Sequence, residues 1–134
     1  MFLNQIEETN KEDFLKVCVH ASLSNGVFAE EEKETLFAYC RELNVKEHIP
    51  ETPESFEKLI KKISAETNMK EKRIFILEIL ALVKSDGVYD EIEQGFMKTL
   101  SEGLGLQYDT VEMFDELLSK YVEIGKELFA AIVE

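Results

Sequence analysis

Ser24-Asn-Gly-Val-Phe-Ala-Glu-Glu-Glu32 and Ser85-Asp-Gly-Val-Tyr-Asp-Glu-Ile-Glu93 are the same stretch written twice, 61 residues apart (85 minus 24). The correspondence continues without gaps on both sides. Backward, Phe14 falls on Phe75 and Leu15 on Ile76; forward, Leu36 falls on Met97, Leu43 on Leu104 and Val45 on Leu106. Each copy, over about residues 10–45 and 71–106, reads as a helix, a tight loop and a second helix. A supersecondary unit repeated at a fixed period stacks on its neighbour to bury one shared core. Because no flexible linker parts the copies, residues 1–134 read as one domain.

The segments around the loops have helical spacing. Phe14, Leu15, Val17, Cys18 and Ala21 form one apolar stripe, and Leu36, Phe37, Cys40 and Leu43 form another. Phe56, Leu59, Ile60 and Ile63 form a third, with Thr52 as the expected N-cap and Pro53 at the first helical position. Asn68 precedes a helix over about 69–84. Another runs from near Glu91 to Glu102, where Gly103 and Gly105 can stop it. Asp109-Thr-Val-Glu112 has the spacing of a capping box for a last helix, which Gly125 would bend or divide. That helix would carry Val111, Phe114, Leu117, Leu118, Tyr121 and Val122 on one face. No alternating run rich in Val, Ile and Thr supplies a strand. The expected fold is all-α, a compact bundle of about six to seven helices built from two related hairpins.

Composition narrows the function classes. The chain has 134 residues, 45% hydrophobic and 32% charged, as in an ordinary globular domain. Its net charge of −13 is spread evenly: residues 1–67 carry 14 acids and 8 bases, residues 68–134 carry 14 and 7. Such a surface repels phosphate backbones and anionic lipid headgroups, so neither nucleic acid nor a membrane is an expected partner. The longest apolar run, Ile74 to Val83, is interrupted by Glu78 and is half the length that spans a bilayer, so it reads as a core helix. Two cysteines do not make a disulfide framework, and Met1-Phe-Leu-Asn-Gln-Ile lacks the pattern of a signal peptide. A cytoplasmic location is expected.

The loops carry whatever chemistry there is. Gly26 and Gly87 sit where a chain leaving a helix turns left-handed. The apolar pairs after them, Val27-Phe28 and Val88-Tyr89, are expected to tuck into the core and set the direction of the next helix. In the second copy Asp90 and Glu93 have capping-box spacing; in the first, Ala29 replaces the cap and only Glu32 remains. An EF-hand is excluded, because the positions five and three before each Gly are Leu82 and Lys84, or Ala21 and Leu23. A less regular site could gather Asp86, Asp90 and Glu93, with Asn25 and Glu32 from the other loop. Those oxygen donors suit Ca²⁺ or Mg²⁺. The competing reading makes these acids helix caps favoured by the helix dipole.

Other constellations are weaker. Cys18 and His20 lie about 200° apart around a helix and cannot share a zinc ion. Both Cys18 and Cys40 fall on apolar stripes and read as core; His20 is expected to be half-buried and His48 exposed. No nucleophile elbow, P-loop or dinucleotide fingerprint occurs, and Gly103-Leu-Gly105 reads as a helix stop. No catalytic residue is identified. Phe129 and Ile132, beyond Gly125, could dock on the domain or pair two chains as a homodimer.

Helix, Asp-Gly-Val-x-Asp-x-x-Glu, helix, in two copies within an all-α domain, resembles the TerB-like family of tellurite-resistance proteins, over about Phe14 to Tyr121. A similar module opens some membrane-anchored DnaJ co-chaperones. The resemblance implies a non-enzymatic, cytoplasmic role in stress response through protein partners, and acidic loop residues suspected of holding metal. The matching positions are Asp86, Gly87, Asp90 and Glu93, with Gly26 and Glu32 in the first copy; Asn25 and Ala29 depart from the pattern. The alternative function is a small metal-dependent enzyme that uses the same acids as ligands.

Overall fold

A computed structural model describes residues 1–26 and 28–134 of the chain. Two 3-10 turns, Leu3–Gln5 and Glu8–Asn10, lead into α1 (Lys11–Leu23) and α2 (Glu30–Glu42). Then come α3 (Phe56–Glu66), α4 (Met69–Val83), α5 (Glu91–Gly103) and α6 (Tyr108–Val133), and no strand occurs among the described residues. The expected all-α bundle of two hairpins is what forms, α1–α2 and α4–α5.

The repeat is visible in the backbone. Gly26 and Gly87 have φ of +84° and +83°, a conformation that a Cβ would strain. Before each, a serine hydroxyl donates back to the preceding helix, Ser24 Oγ to Ala21 O at 2.8 Å and Ser85 Oγ to Leu82 O at 2.6 Å. The second helix of each copy also ends alike. Asn44 (φ +60°) and Gly105 (φ +77°) stand 61 apart. Val45 N donates to Cys40 O at 2.9 Å and Leu106 N to Ser101 O at 2.8 Å, the closing bond of a Schellman ending in both copies.

Helix α4 is the axle, packed against α1, α2, α5 and α6. It buries Phe75, Ile76, Ile79, Leu80, Leu82 and Val83 completely, which is why Ile74 to Val83 is almost uniformly apolar. Phe14 of α1 meets Phe75 edge-on at 5.1 Å, the aligned aromatic pair from the two copies in direct contact. Cys18 and Cys40 are free and buried in this core, as their stripes imply.

Several boundaries differ from the sequence reading. Helix α3 starts three residues later than expected: Ser55, not Thr52, is the N-cap, and its Oγ accepts from Lys58 N at 3.2 Å. Two candidate caps so close in sequence are separated only by where Phe56 can join the core. Helix α5 runs on through Gly103; a Cβ there would stand 2.3 Å from Ile60 Cγ2, so Gly103 lets α3 approach and Gly105 alone makes the turn. Helix α6 starts at Tyr108 with no side-chain cap, because the Schellman ending delivers the chain straight into it; Asp109 sits within its first turn instead. Gly125 does not divide α6, which is continuous for 26 residues.

Candidate functional site

The two Gly-containing loops lie side by side, and the acids face each other across the gap. In the second loop Asp86 Oδ1 accepts from Val88 N at 2.9 Å, which closes the turn around Gly87. Asp90 Oδ1 accepts from Glu93 N at 2.8 Å and Glu93 Oε1 accepts from Asp90 N at 3.1 Å, the expected capping box. In the first loop Glu32 Oε1 accepts from Ala29 N at 3.1 Å, and Ala29 offers no side-chain cap. Asn25 Nδ2 reaches across to Asp90 Oδ2 at 3.4 Å and ties the loops together.

Glu32 and Glu93 are each only 1% exposed, and each has one committed oxygen and one buried oxygen, Oε2, with no hydrogen-bond donor. Leaving a buried acceptor unpaired is costly, more so when it is charged. The electrostatics follow. Burial drives the Glu93 carboxyl up to about 7; the bond from Asp90 N–H opposes this, and the negative charges of Asp90, Asp86 and Glu32 add to it. Glu32 is raised too, chiefly by burial, with Asp86 and Glu31 contributing. The bond from Ala29 N–H and the dipole of the nearby buried Ser22 hydroxyl hold that rise back. Five sequence-predicted residues, Asn25, Glu32, Asp86, Asp90 and Glu93, thus come together at one place. Among the described residues, however, no three His, Cys, Asp or Glu side chains converge as a ready-made metal-ligand set.

The apolar pairs behave differently from their expected common role. Phe28 and Tyr89 pack against the core, but Val88 is 54% exposed, because a single side chain suffices to direct the next helix. Val27 lies outside the described residues. His20 is half-buried, near Phe56, as expected, and burial lowers its pKa. His48 is half-buried rather than exposed, its Nε2 3.1 Å from Glu12. Cys40 Sγ meets His48 at its backbone carbonyl, 3.7 Å away, and among the described residues no imidazole and thiol gather as a zinc site, so the zinc reading stays excluded. Sequence reasoning missed Glu71 and Glu78, both buried; Glu71 had a usable signal, since Asn68-x-x-Glu71 is itself a capping-box spacing.

Duplicated helical hairpins joined back to back, with acidic capping loops on one side, define a small all-α class. No protein-family model and no curated protein sequence matches the chain. Among solved structures, a tellurite resistance protein from Nostoc punctiforme superposes with a TM-score of 0.71, at 17% identity, over 92% of this chain and 80% of that one. The chain therefore has the fold of a tellurite resistance protein, the fold that the repeated loop resembles.

Proposed function

We propose that the chain is a non-enzymatic, cytoplasmic module of the tellurite-resistance fold that works through protein partners, and that its paired loops take up one hard divalent cation weakly. The observation that carries the cation reading is the pair of buried glutamates with idle oxygens. Glu32 Oε2 and Glu93 Oε2 meet no donor within hydrogen-bond distance while Asp86 and Asp90 stand beside them, so the negative charge at the two glutamates is under-compensated. A divalent ion supplies that compensation. Carboxylate oxygens with much of the coordination shell left to water favour Ca²⁺ or Mg²⁺ at an affinity of about 10⁻⁴ M or weaker. The stress-response reading rests on the fold shared with the Nostoc protein and on the Asp-Gly-Val-x-Asp-x-x-Glu loop from Asp86 to Glu93, with its weaker copy from Asn25 to Glu32.

Thermal melting across millimolar Ca²⁺ and Mg²⁺ at fixed ionic strength tests the site. The melting temperature should climb with ion concentration, as it does whenever a ligand binds only the folded state. The climb should be larger at pH 8 than at pH 6, because a proton on Glu93 competes with the ion. Asp86→Asn keeps an oxygen for the turn but removes a charge, and should shrink the climb. A wild-type response no greater than that of a monovalent salt would leave the loops as architecture alone.

A further inference from the structure

Helix α6 leaves the domain halfway along its length. Leu118 is its last buried residue, and every residue from 119 to 134 is exposed. That arm, about 22 Å long at 1.5 Å per residue, is not a polar solvated helix. Tyr121, Leu128, Phe129 and Ile132 are between 62% and 79% exposed, and Leu117, Val122, Ile124 and Val133 are about half or more exposed. They share one face, while Glu116, Ser119, Lys120, Glu123, Lys126 and Glu127 occupy the opposite one. Phe114, Leu118, Tyr121, Gly125, Leu128 and Ile132 follow one another at steps of 4, 3, 4, 3 and 4, the seam spacing of a coiled coil.

Alone in water such an arm is poorly held. It propagates from the docked half of α6 with no tertiary packing of its own, and Gly125 in its middle is a poor helix former. Exposed ion pairs such as Lys120–Glu116 at 3.3 Å return little. The apolar face exposes on the order of 900 Å², at about 160–220 Å² per fully exposed side chain, beyond the largest patch usual on a monomer. Covering about two thirds of that face reaches the roughly 600 Å² per partner at the low end of specific interfaces.

We infer that the arm pairs antiparallel with the arm of a second copy of this chain, crossing at Gly125. The pattern is close to its own mirror image about that residue. In this register Leu118 meets Ile132 of the other copy, Tyr121 meets Phe129, Val122 meets Leu128, and the two Gly125 backbones cross without Cβ atoms between them; a Cβ at Gly125 meets nothing within its own chain. An apolar hollow of about 340 Å³ at the arm's root, bordered by Leu77, Phe114, Leu117 and Tyr121, continues the same face and receives the incoming tip.

Charge selects both the occupant and the direction. Residues 119–134 carry two lysines and three glutamates, a net −1 on a chain of −13, so two arms approach each other with little repulsion. Parallel pairing would set two acidic bodies side by side. Antiparallel pairing places them at opposite ends of an overlap of about 22 Å, well beyond the ~8 Å screening length at physiological salt. An anionic bilayer is a poorer fit, since interfacial helices are rich in Lys and Arg on the polar face and this one alternates Lys with Glu.

Sedimentation equilibrium of the full chain at micromolar concentration should give twice the 15.5 kDa chain mass. Leu128→Asp should halve the mass while the body stays folded by circular dichroism, and Glu123→Gln on the polar face should leave the mass doubled. Oxidising a mixture of Tyr121→Cys and Phe129→Cys chains should cross-link the two variants to each other, with neither cross-linking to itself; the native Cys18 and Cys40 are buried. Self-cross-linking of each variant would overturn the antiparallel register. A wild type of single mass throughout, with or without vesicle binding, would overturn the pairing itself.

Discussion

The starts of α4 and α5 are built from the same device and end in opposite electrostatic states. Asn68 and Glu71 form a capping box at the first, Asp90 and Glu93 at the second, and both glutamates are buried. A capping box occupies only one carboxylate oxygen. At α4 the other, Glu71 Oε2, accepts from Asn10 Nδ2 at 2.9 Å and from Glu7 N at 3.1 Å. Burial pushes the Glu71 carboxyl up, but those bonds, with the one from Asn68 N–H, outweigh it and leave its pKa lowered. At α5 the other oxygen meets no donor and faces three more acids. The motif therefore says that a glutamate caps a helix; its idle oxygen says whether the residue is structural or available for a ligand.

Four substitutions sharpen that contrast. The largest effect belongs to Glu71→Ala, which strands Glu7 N–H and Asn68 N–H and leaves Asn10 Nδ2 with Glu66 O alone. It should cost about 2–4 kcal/mol in urea unfolding, the range for breaking a buried network. A loss below 1 kcal/mol would mean that water replaces the carboxylate and that the two boxes differ less than their bonding implies.

Removing the caps is next. Asn68→Ala should cost about 1 kcal/mol at any pH. Asp90→Ala loses the same bond to an N3 amide, but it also removes a negative charge from beside Glu93. Its cost should therefore be smaller at pH 8 than at pH 5, where Glu93 is protonated and the relief vanishes. Equal costs at both pH values would show that the Asp90 charge does not repel that of Glu93.

How much of this was legible follows from what each feature depends on. The duplicated loops were readable because Gly26 and Gly87 are demanded by local backbone geometry, and local demands leave marks at fixed spacing. The gathering of Asn25, Glu32, Asp86, Asp90 and Glu93 was readable from the repeat, since two like hairpins packed together bring like loops together. The idle oxygens were not. Asn10 lies 61 residues before Glu71, and no spacing rule indicates that it will fill one glutamate's valence while Glu93 goes without. The start of α3 at Ser55 and the packing of Gly103 against Ile60 were hidden for the same reason, since both are set by contacts between distant segments. Where α6 would leave the domain was equally invisible, because its apolar pattern does not change at Leu118.

The smallest effect gives the most direct test of the contrast. A glutamate raised from 4.5 to about 7 holds its proton more tightly folded than unfolded. Between those two values the native state binds more protons than the unfolded one, so stability falls as pH rises. Glu93 thus contributes its full share below about pH 4.5, and that share is lost by the time pH passes 7. Glu71 runs the other way: its lowered pKa makes its contribution complete above the unfolded value and lost only on acidification. Glu93→Gln removes the first of these slopes and leaves the second. Its amide oxygen can still accept from Asp90 N–H, while its NH₂ offers donors to the neighbouring acids. The variant should match wild type within about 0.5 kcal/mol at pH 5, and it should be as stable or more stable at pH 8. Urea unfolding of both proteins from pH 4 to pH 8 measures the difference directly. A Glu93→Gln variant that loses stability at pH 8 would mean that the ionised carboxylate has partners there, and that α5 begins no differently from α4.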